Sequence, residues 1–173
     1  MDWLLALLRL VHIGGAVFWA GSAFTFFLFV APSLEVLPPP NRKAFFDQFV
    51  GRRRFPTIVV GVATLTLLSG AVLYWRLSGN LNPIWLTSAT GLGFTLGGVA
   101  GLIAWLIAAL VIGPTFTRLG ALGGEILAAG RPPTAEEGTR LAALGTRLRI
   151  ASRALLVLLA ISVLFMAISR YLR

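Results

Sequence analysis

Four long stretches without an acidic or basic residue constrain the fold of this 173-residue chain more than any other feature. They cover residues 10–34, 55–75, 77–117 and 154–169. A helix needs about 20 apolar residues to cross the roughly 30 Å hydrocarbon core of a bilayer, and the third stretch is long enough to include a loop as well. With 57% hydrophobic residues and a mean hydropathy of +0.87, the sequence predicts an integral membrane protein with four spans.

Turn-forming residues set the boundaries of the predicted helices. Helix one should run from about Trp3 until Pro32 stops it, because the proline ring removes a backbone donor and clashes with the preceding turn. Helix two is predicted from residue 55 to about 78. Helix three is predicted from 87 to 112, after which Gly113-Pro114 should break or kink it.

A helical extension is predicted between helices three and four. A helix over 115–129 and a turn at 130–133 come first, and Thr134 and Glu137 then have the spacing of a capping box. The last helix therefore starts outside the lipid and becomes transmembrane after Arg153. The chain is predicted to form one domain, residues 1–173. Its expected fold is an all-α, antiparallel four-helix membrane bundle with a cytoplasmic helical extension between helices three and four.

The basic residues predict the orientation in the membrane. Of the fifteen, eleven lie in two connections: Arg42, Lys43, Arg52, Arg53 and Arg54 in the first, and Arg118, Arg131, Arg140, Arg147, Arg149 and Arg153 in the second. The positive-inside rule places both connections in the cytoplasm and both termini outside, in a bacterial inner membrane. The net charge of +9 is thus explained by basic residues that flank the lipid bilayer, and no nucleic-acid partner is expected.

The first basic connection also contains an aromatic pattern. Phe45, Phe46 and Phe49 recur at near-helical spacing among charged residues. This pattern predicts a short helix that lies in the membrane interface.

Helix three has a glycine face. Gly93, Gly97 and Gly101 are four residues apart and lie on one side of the helix. Small residues at this spacing favour close helix packing, either within the chain or in a homo-oligomer. The alternative is a groove in which a flat cofactor approaches the backbone at Gly97.

The only histidine of the chain lies inside the first apolar run. Arg9, His12, Gly15 or Ala16, and Trp19 are spaced by three and four residues and share one face of helix one. An unpaired imidazole in hydrocarbon costs about 1 to 3 kcal/mol, so the ring must bind a metal or a polar group of a neighbouring helix. The candidate polar groups are Thr64, Thr66, Ser69 and Ser162.

Several segments of the sequence resemble known membrane proteins. HIGGAVFWAG at 12–21, FDQFVGRRRF at 46–55, Ser69-Gly70 and LFMAISRYL at 164–172 are similar to the copper-resistance protein D superfamily. The His12-x-x-Gly15-x-x-x-Trp19 pattern also resembles the first helix of HemJ-type protoporphyrinogen oxidases, which are associated with b-type haem. Those enzymes have a lysine in helix three that this sequence lacks, so the resemblance does not extend to oxidase activity.

The resemblance implies His12 as an axial ligand of haem b. The residues leave two options for the second axial position, namely Met166 at a similar depth or an open site, and Arg9 is suited to a haem propionate. Copper is the alternative cofactor, but a copper site favours cysteines, methionines or several histidines, and this chain has no cysteine, one histidine and two methionines.

Three functions follow as hypotheses. The first is a haem protein that handles electrons, a diatomic gas or haem metabolism, whether or not it is an enzyme. The second is a copper uptake or resistance protein. The third is a non-catalytic scaffold or partner subunit that assembles through the glycine face of helix three.

Overall fold

A computed structural model describes residues 3–172, which contain helices and turns and no strand. Six helices follow in chain order: α1 Trp3–Glu35, α2 Pro39–Phe46, α3 Phe55–Leu77, α4 Pro83–Thr87, α5 Ala89–Ala128 and α6 Ala135–Tyr171. Four of them, α1, α3, α5 and α6, are long and apolar enough to cross a membrane. The prediction of an all-α membrane protein with four spans is confirmed.

The bundle is built from two closely packed helix pairs. α1 packs on α3, α5 packs on α6, and the pairs meet mainly through α3 and α5. Their common core includes Trp19, Ala63, Ala104 and Leu155, of which Trp19 is 4% exposed. The small alanine side chains allow the helix backbones to approach closely, as in other membrane bundles.

The two ends of the bundle differ in character. The end at which α1 begins and α6 ends is called the terminal end. There a hydrogen bond of 2.8 Å from Thr90 Oγ1 to the Leu172 carbonyl oxygen joins α5 to the segment that follows α6. The opposite end, called the basic end, holds α2 and the connection between α5 and α6. Both clusters of basic residues therefore lie at one end.

Hydrogen bonds between side chains join the two helix pairs. Trp105 Nε1 of α5 donates to Thr64 Oγ1 of α3 over 3.0 Å. Nearer the terminal end, the Tyr74 hydroxyl of α3 donates to Thr95 Oγ1, because the Thr95 hydroxyl itself donates to the Gly91 carbonyl oxygen. Such bonds between membrane helices contribute about 0.6 kcal/mol each on average.

Neither predicted proline break ends a helix. α1 continues past Pro32 to Glu35, and α5 continues through Gly113-Pro114 to Ala128. In both helices a wide π-type turn precedes the proline, at Phe26–Val30 and at Ala108–Ile112. The backbone N–H there bonds five residues back, which leaves room for a ring that would clash with an α-helical turn. The prediction that Pro32 stops helix one was therefore wrong.

The aromatic segment at the basic end is helical, as predicted. α2 continues into a further wide turn at Asp47–Arg52. The ring of Phe49 lies 5.4 Å from that of Phe26 and 4.4 Å from that of Phe55, and Phe46 lies 6.1 Å from Phe116. These centroid distances show that the phenylalanines attach α2 to the ends of the membrane helices.

The helical hairpin at the basic end has the predicted cap. The Thr134 hydroxyl accepts from the Glu137 N–H, and the Glu137 carboxylate accepts from the Thr134 N–H. Arg131 also donates two hydrogen bonds of 2.8 Å to this carboxylate. The Arg131 guanidinium and the capping bond lower the pKa of Glu137 to about 2. The start of α6 is therefore defined by a charged cap outside the apolar region.

Candidate functional site

His12 lies between α1 and α3 in the half of the bundle near the terminal end. Its side chain is half-buried. Ring atom Nδ1 lies 2.8 Å from the backbone carbonyl oxygen of Thr66. This is a direct hydrogen bond between two membrane helices.

The chemistry of this bond determines the tautomer of the ring. A carbonyl oxygen can only accept, so Nδ1 carries a hydrogen, and in the neutral imidazole Nε2 then has a free lone pair. Among residues 3–172, Nε2 has no hydrogen-bond partner, and the one buried side-chain nitrogen or oxygen without a partner is Nε of Arg42. Nε2 is therefore accessible and free to bind a ligand.

Two glycines allow the ring to lie this close to α3. A Cβ atom at Gly70 would lie 2.6 Å from Cε1 of His12 and 2.8 Å from Nδ1. On α1, a Cβ atom at Gly15 would overlap the hydroxyl of Thr66. Glycine at both positions removes the side chains that would separate α1 from α3.

Three of the four hydroxyl groups proposed from the sequence as partners of His12 donate to backbone carbonyl oxygens instead, namely those of Thr64, Thr66 and Ser69. The fourth, Ser162, lies on α6 beside Gly101. The Thr66 hydroxyl donates to the Val62 carbonyl oxygen over 2.9 Å, and Ser69 donates to the carbonyl oxygens of Leu65 and Thr66. Helical threonines and serines commonly bond backward in this way. The histidine therefore binds the backbone of Thr66 and not its side chain.

The other residues on the His12 face of α1 lie in two different environments. Arg9 is exposed one turn nearer the terminal end than His12, and it has no carboxylate partner in the described part of the chain. Trp19 is buried in the core against the other helices. The structure therefore places Arg9 and Gly15 close to His12 along one helix, whereas Trp19 contributes to packing.

Gly97 and Met166 lie in the interface between α5 and α6. A Cβ atom at Gly97 would be 3.2 Å from Phe165 Cβ and 3.3 Å from Met166 Cγ. Met166 thus contacts α5, whereas His12 contacts α3. The glycine face is covered by α6 within one chain, so an oligomer that used Gly97 would have to displace α6.

Sequence reasoning missed two groups of the site, the Thr66 carbonyl and Gly70. The residue type at position 66 does not reveal a backbone acceptor. A usable signal existed for Gly70, because a glycine within a predicted membrane helix indicates a close contact.

The donor set of the site consists of one imidazole. No group of three or more histidine, cysteine or acidic side chains suited to a metal ion occurs within residues 3–172. A copper ion would thus have to be bound with ligands from outside this part of the chain. One imidazole with a fixed tautomer is enough for haem iron.

Comparisons with known proteins give no relative for this chain. No protein-family model matches the sequence, and no curated protein or solved structure matches it either. The resemblances to the copper-resistance protein D superfamily and to HemJ-type oxidases stay predictions.

Proposed function

We propose that this protein is a b-type haem-binding membrane protein in which Nε2 of His12 is an axial ligand of the iron. The observation that carries this proposal is the 2.8 Å hydrogen bond from Nδ1 to the Thr66 carbonyl oxygen. Histidines that bind metals almost always donate their other ring N–H to a carbonyl or carboxylate. That bond orients the ring and fixes Nε2 as the nitrogen that faces a ligand.

The surrounding residues suit this role. Arg9 is exposed and has no ion-pair partner in the described residues, so its guanidinium is available to a propionate. Gly70 and Gly15 hold α1 and α3 at the distance that the His12 bond requires. When bound, haem supplies electron transfer or the binding of a small ligand at its iron.

We further propose that a diatomic gas is the ligand that this site handles. Met166, the methionine at a similar depth, contacts Gly97 and Gly98 on α5, away from the helix that contacts His12. A haem held by His12 as its one protein ligand would have room at its iron for a small molecule, which would favour ligand binding over electron transfer.

Visible spectroscopy of the purified protein tests this function. Expressed with added haem, the protein should have a Soret band, which shifts when carbon monoxide is added to the reduced form. His12→Ala should lose the band, and His12→Gly should recover it with added imidazole. Met166→Leu is the matched control and should keep the band, because Met166 packs on Gly97 and Gly98.

A wild-type protein without a Soret band would contradict the proposal, as would a band that persists unchanged in His12→Ala. Because the chain has one histidine, nitrogen NMR with isotope-labelled histidine reports on His12 alone. Without haem, this spectrum should show a protonated Nδ1 and an unprotonated Nε2.

We propose that the protein resides in a bacterial inner membrane with its termini outside and its basic end in the cytoplasm. Both groups of basic residues lie at that end, which supports this orientation through the positive-inside rule. The chain has no cysteine, so a single introduced thiol can be labelled cleanly.

Thiol labelling should distinguish the two ends of the bundle. In intact spheroplasts, a membrane-impermeant maleimide should label Ile84→Cys, which is at the terminal end and 82% exposed in the wild type. Ala129→Cys at the basic end should react only after lysis. The reverse pattern would show the opposite orientation.

A further inference from the structure

A groove of about 870 Å³ lies between α5 and α6 at the basic end of the bundle. Its walls include Ile107, Val111, Ile150 and Ala154, and Thr146 and Arg147 lie farther from the membrane centre. Among the described residues that line the groove, Arg147 is the one charged side chain. The groove is therefore mostly apolar and has one cationic side chain, Arg147.

Two features of the helices keep the groove open. On α6 four of the lining residues are alanines, namely Ala142, Ala143, Ala151 and Ala154. On α5 the wide turn Ala108–Ile112 changes the path of the helix, and Val111 of this turn lines the groove. Wide turns of this kind occur often at functional sites.

The groove spans two depths of a bilayer. Ala154 begins the last charge-free stretch and thus lies at the edge of the hydrocarbon. Arg153 is the residue directly before Ala154, and Arg147 precedes it by six residues, which is about 9 Å along the helix. The headgroup region on each side of a bilayer is about 5 to 8 Å thick, so the long Arg147 side chain can reach it.

Arg147 is available for an anion. The acidic residues at the start of α6 already have partners, because Glu136 binds Arg140 over 2.6 Å and Glu137 binds Arg131 over 2.8 Å. Arg147 has no carboxylate partner within residues 3–172. Its charge is therefore uncompensated by the described chain.

A hydroxyl group next to Arg147 adds a second donor. Thr146 Oγ1 accepts a hydrogen bond from Arg149 over 3.2 Å and donates to no atom of the described residues. Its hydrogen is therefore free for an oxygen of a ligand. Arginine and hydroxyl donors together suit a phosphate group.

We propose that this groove binds one anionic phospholipid, with an acyl chain against Ile107, Val111 and Ala154 and with the phosphate at Arg147 and Thr146. Charge complementarity favours this occupant, because the net charge of +9 is concentrated at this end. A second copy of the chain would bring two basic ends together and would not compensate Arg147.

Native mass spectrometry of the detergent-solubilised protein tests the proposal. Phosphatidylglycerol and phosphatidylcholine with identical acyl chains are titrated in parallel. One basic residue near a lipid surface contributes about 1 kcal/mol, so Arg147→Gln should reduce the preference for phosphatidylglycerol about fivefold. Arg153→Gln is the matched control, because it removes the same charge from an exposed site that does not line the groove. It should reduce this preference less than Arg147→Gln does.

A second pair of variants tests the acyl chain. Ala154→Phe should fill the groove and weaken binding of both lipids. Ala160→Phe, at an exposed position of the same helix outside the groove, should not. The proposal would be overturned if the two variants of either pair had equal effects. It would also be overturned if glycerol phosphate alone displaced the lipid, or if the spectrum showed a dimer mass in place of a lipid adduct.

Discussion

Replacing Gly70 with alanine should weaken haem binding about 10- to 100-fold, the usual cost of losing the partner that orients a metal-binding histidine. The new Cβ atom would lie 2.6 Å from Cε1 of His12, which is closer than real Cβ contacts. The imidazole is the end of a rotatable side chain, so the ring moves and the helices stay in place. Its hydrogen bond to the Thr66 carbonyl oxygen is then lost.

The same substitution should change the free energy of unfolding by less than about 1 kcal/mol. Loss of a hydrogen bond between membrane helices costs about 0.6 to 1.7 kcal/mol. Alanine in place of glycine within a helix recovers about 1 kcal/mol. These two contributions offset each other, so haem binding and stability should separate in this variant.

Gly61→Ala is the matched control for Gly70→Ala. It lies on the same helix and gains the same helix propensity, and a Cβ atom there would meet no atom within 4 Å. Haem titration, unfolding in detergent and nitrogen NMR of the single histidine are compared for both. If Gly70→Ala binds haem as tightly as Gly61→Ala while the NMR signal of Nδ1 changes, the Thr66 bond does not support the cofactor.

Leucine in place of Gly97 should lower the free energy of unfolding by about 3 kcal/mol, at the upper end of the usual cost of overpacking. A Cβ atom there would lie 3.2 Å from both Phe165 Cβ and the Ser162 carbonyl oxygen. The backbone of α6 cannot move aside as a side chain can. The two helices would have to separate along this interface.

Gly98→Leu is the control for this prediction. A Cβ atom at Gly98 has one neighbour, Met166 Cε, at an ordinary contact distance of 3.9 Å. This variant should therefore unfold within about 1 kcal/mol of the wild type in a titration with a denaturing detergent. Equal stability of the two variants would show that Gly97 is not a packing position. A folded Gly97→Leu protein that has selectively lost haem would favour a cofactor groove there.

The helices could be predicted because lipid imposes a simple requirement. A membrane span must satisfy its own backbone, so a long run without charges identifies it directly. The cap at Thr134 and Glu137 could also be predicted, since it depends on two side chains at a fixed spacing.

The partner of His12 could not be predicted from residue types. Every residue has a carbonyl oxygen, so the choice of Thr66 depends on how α1 and α3 are aligned. The prediction that α1 ends at Pro32 was wrong for a related reason. A proline forbids a regular α-helical turn, but it does not forbid a wider one two residues earlier.

The wide turns constrain the number of residues that this chain can have at three places. Each behaves as an α-helix with one inserted residue, so everything beyond it is rotated by about 100° about the helix axis. Phe26 and Phe49 lie within two such turns, and Phe116 follows a third. Deleting a single residue from any of them would change the phase of one helix and turn its ring away from the others. At these places the chain tolerates substitution more readily than a change in length.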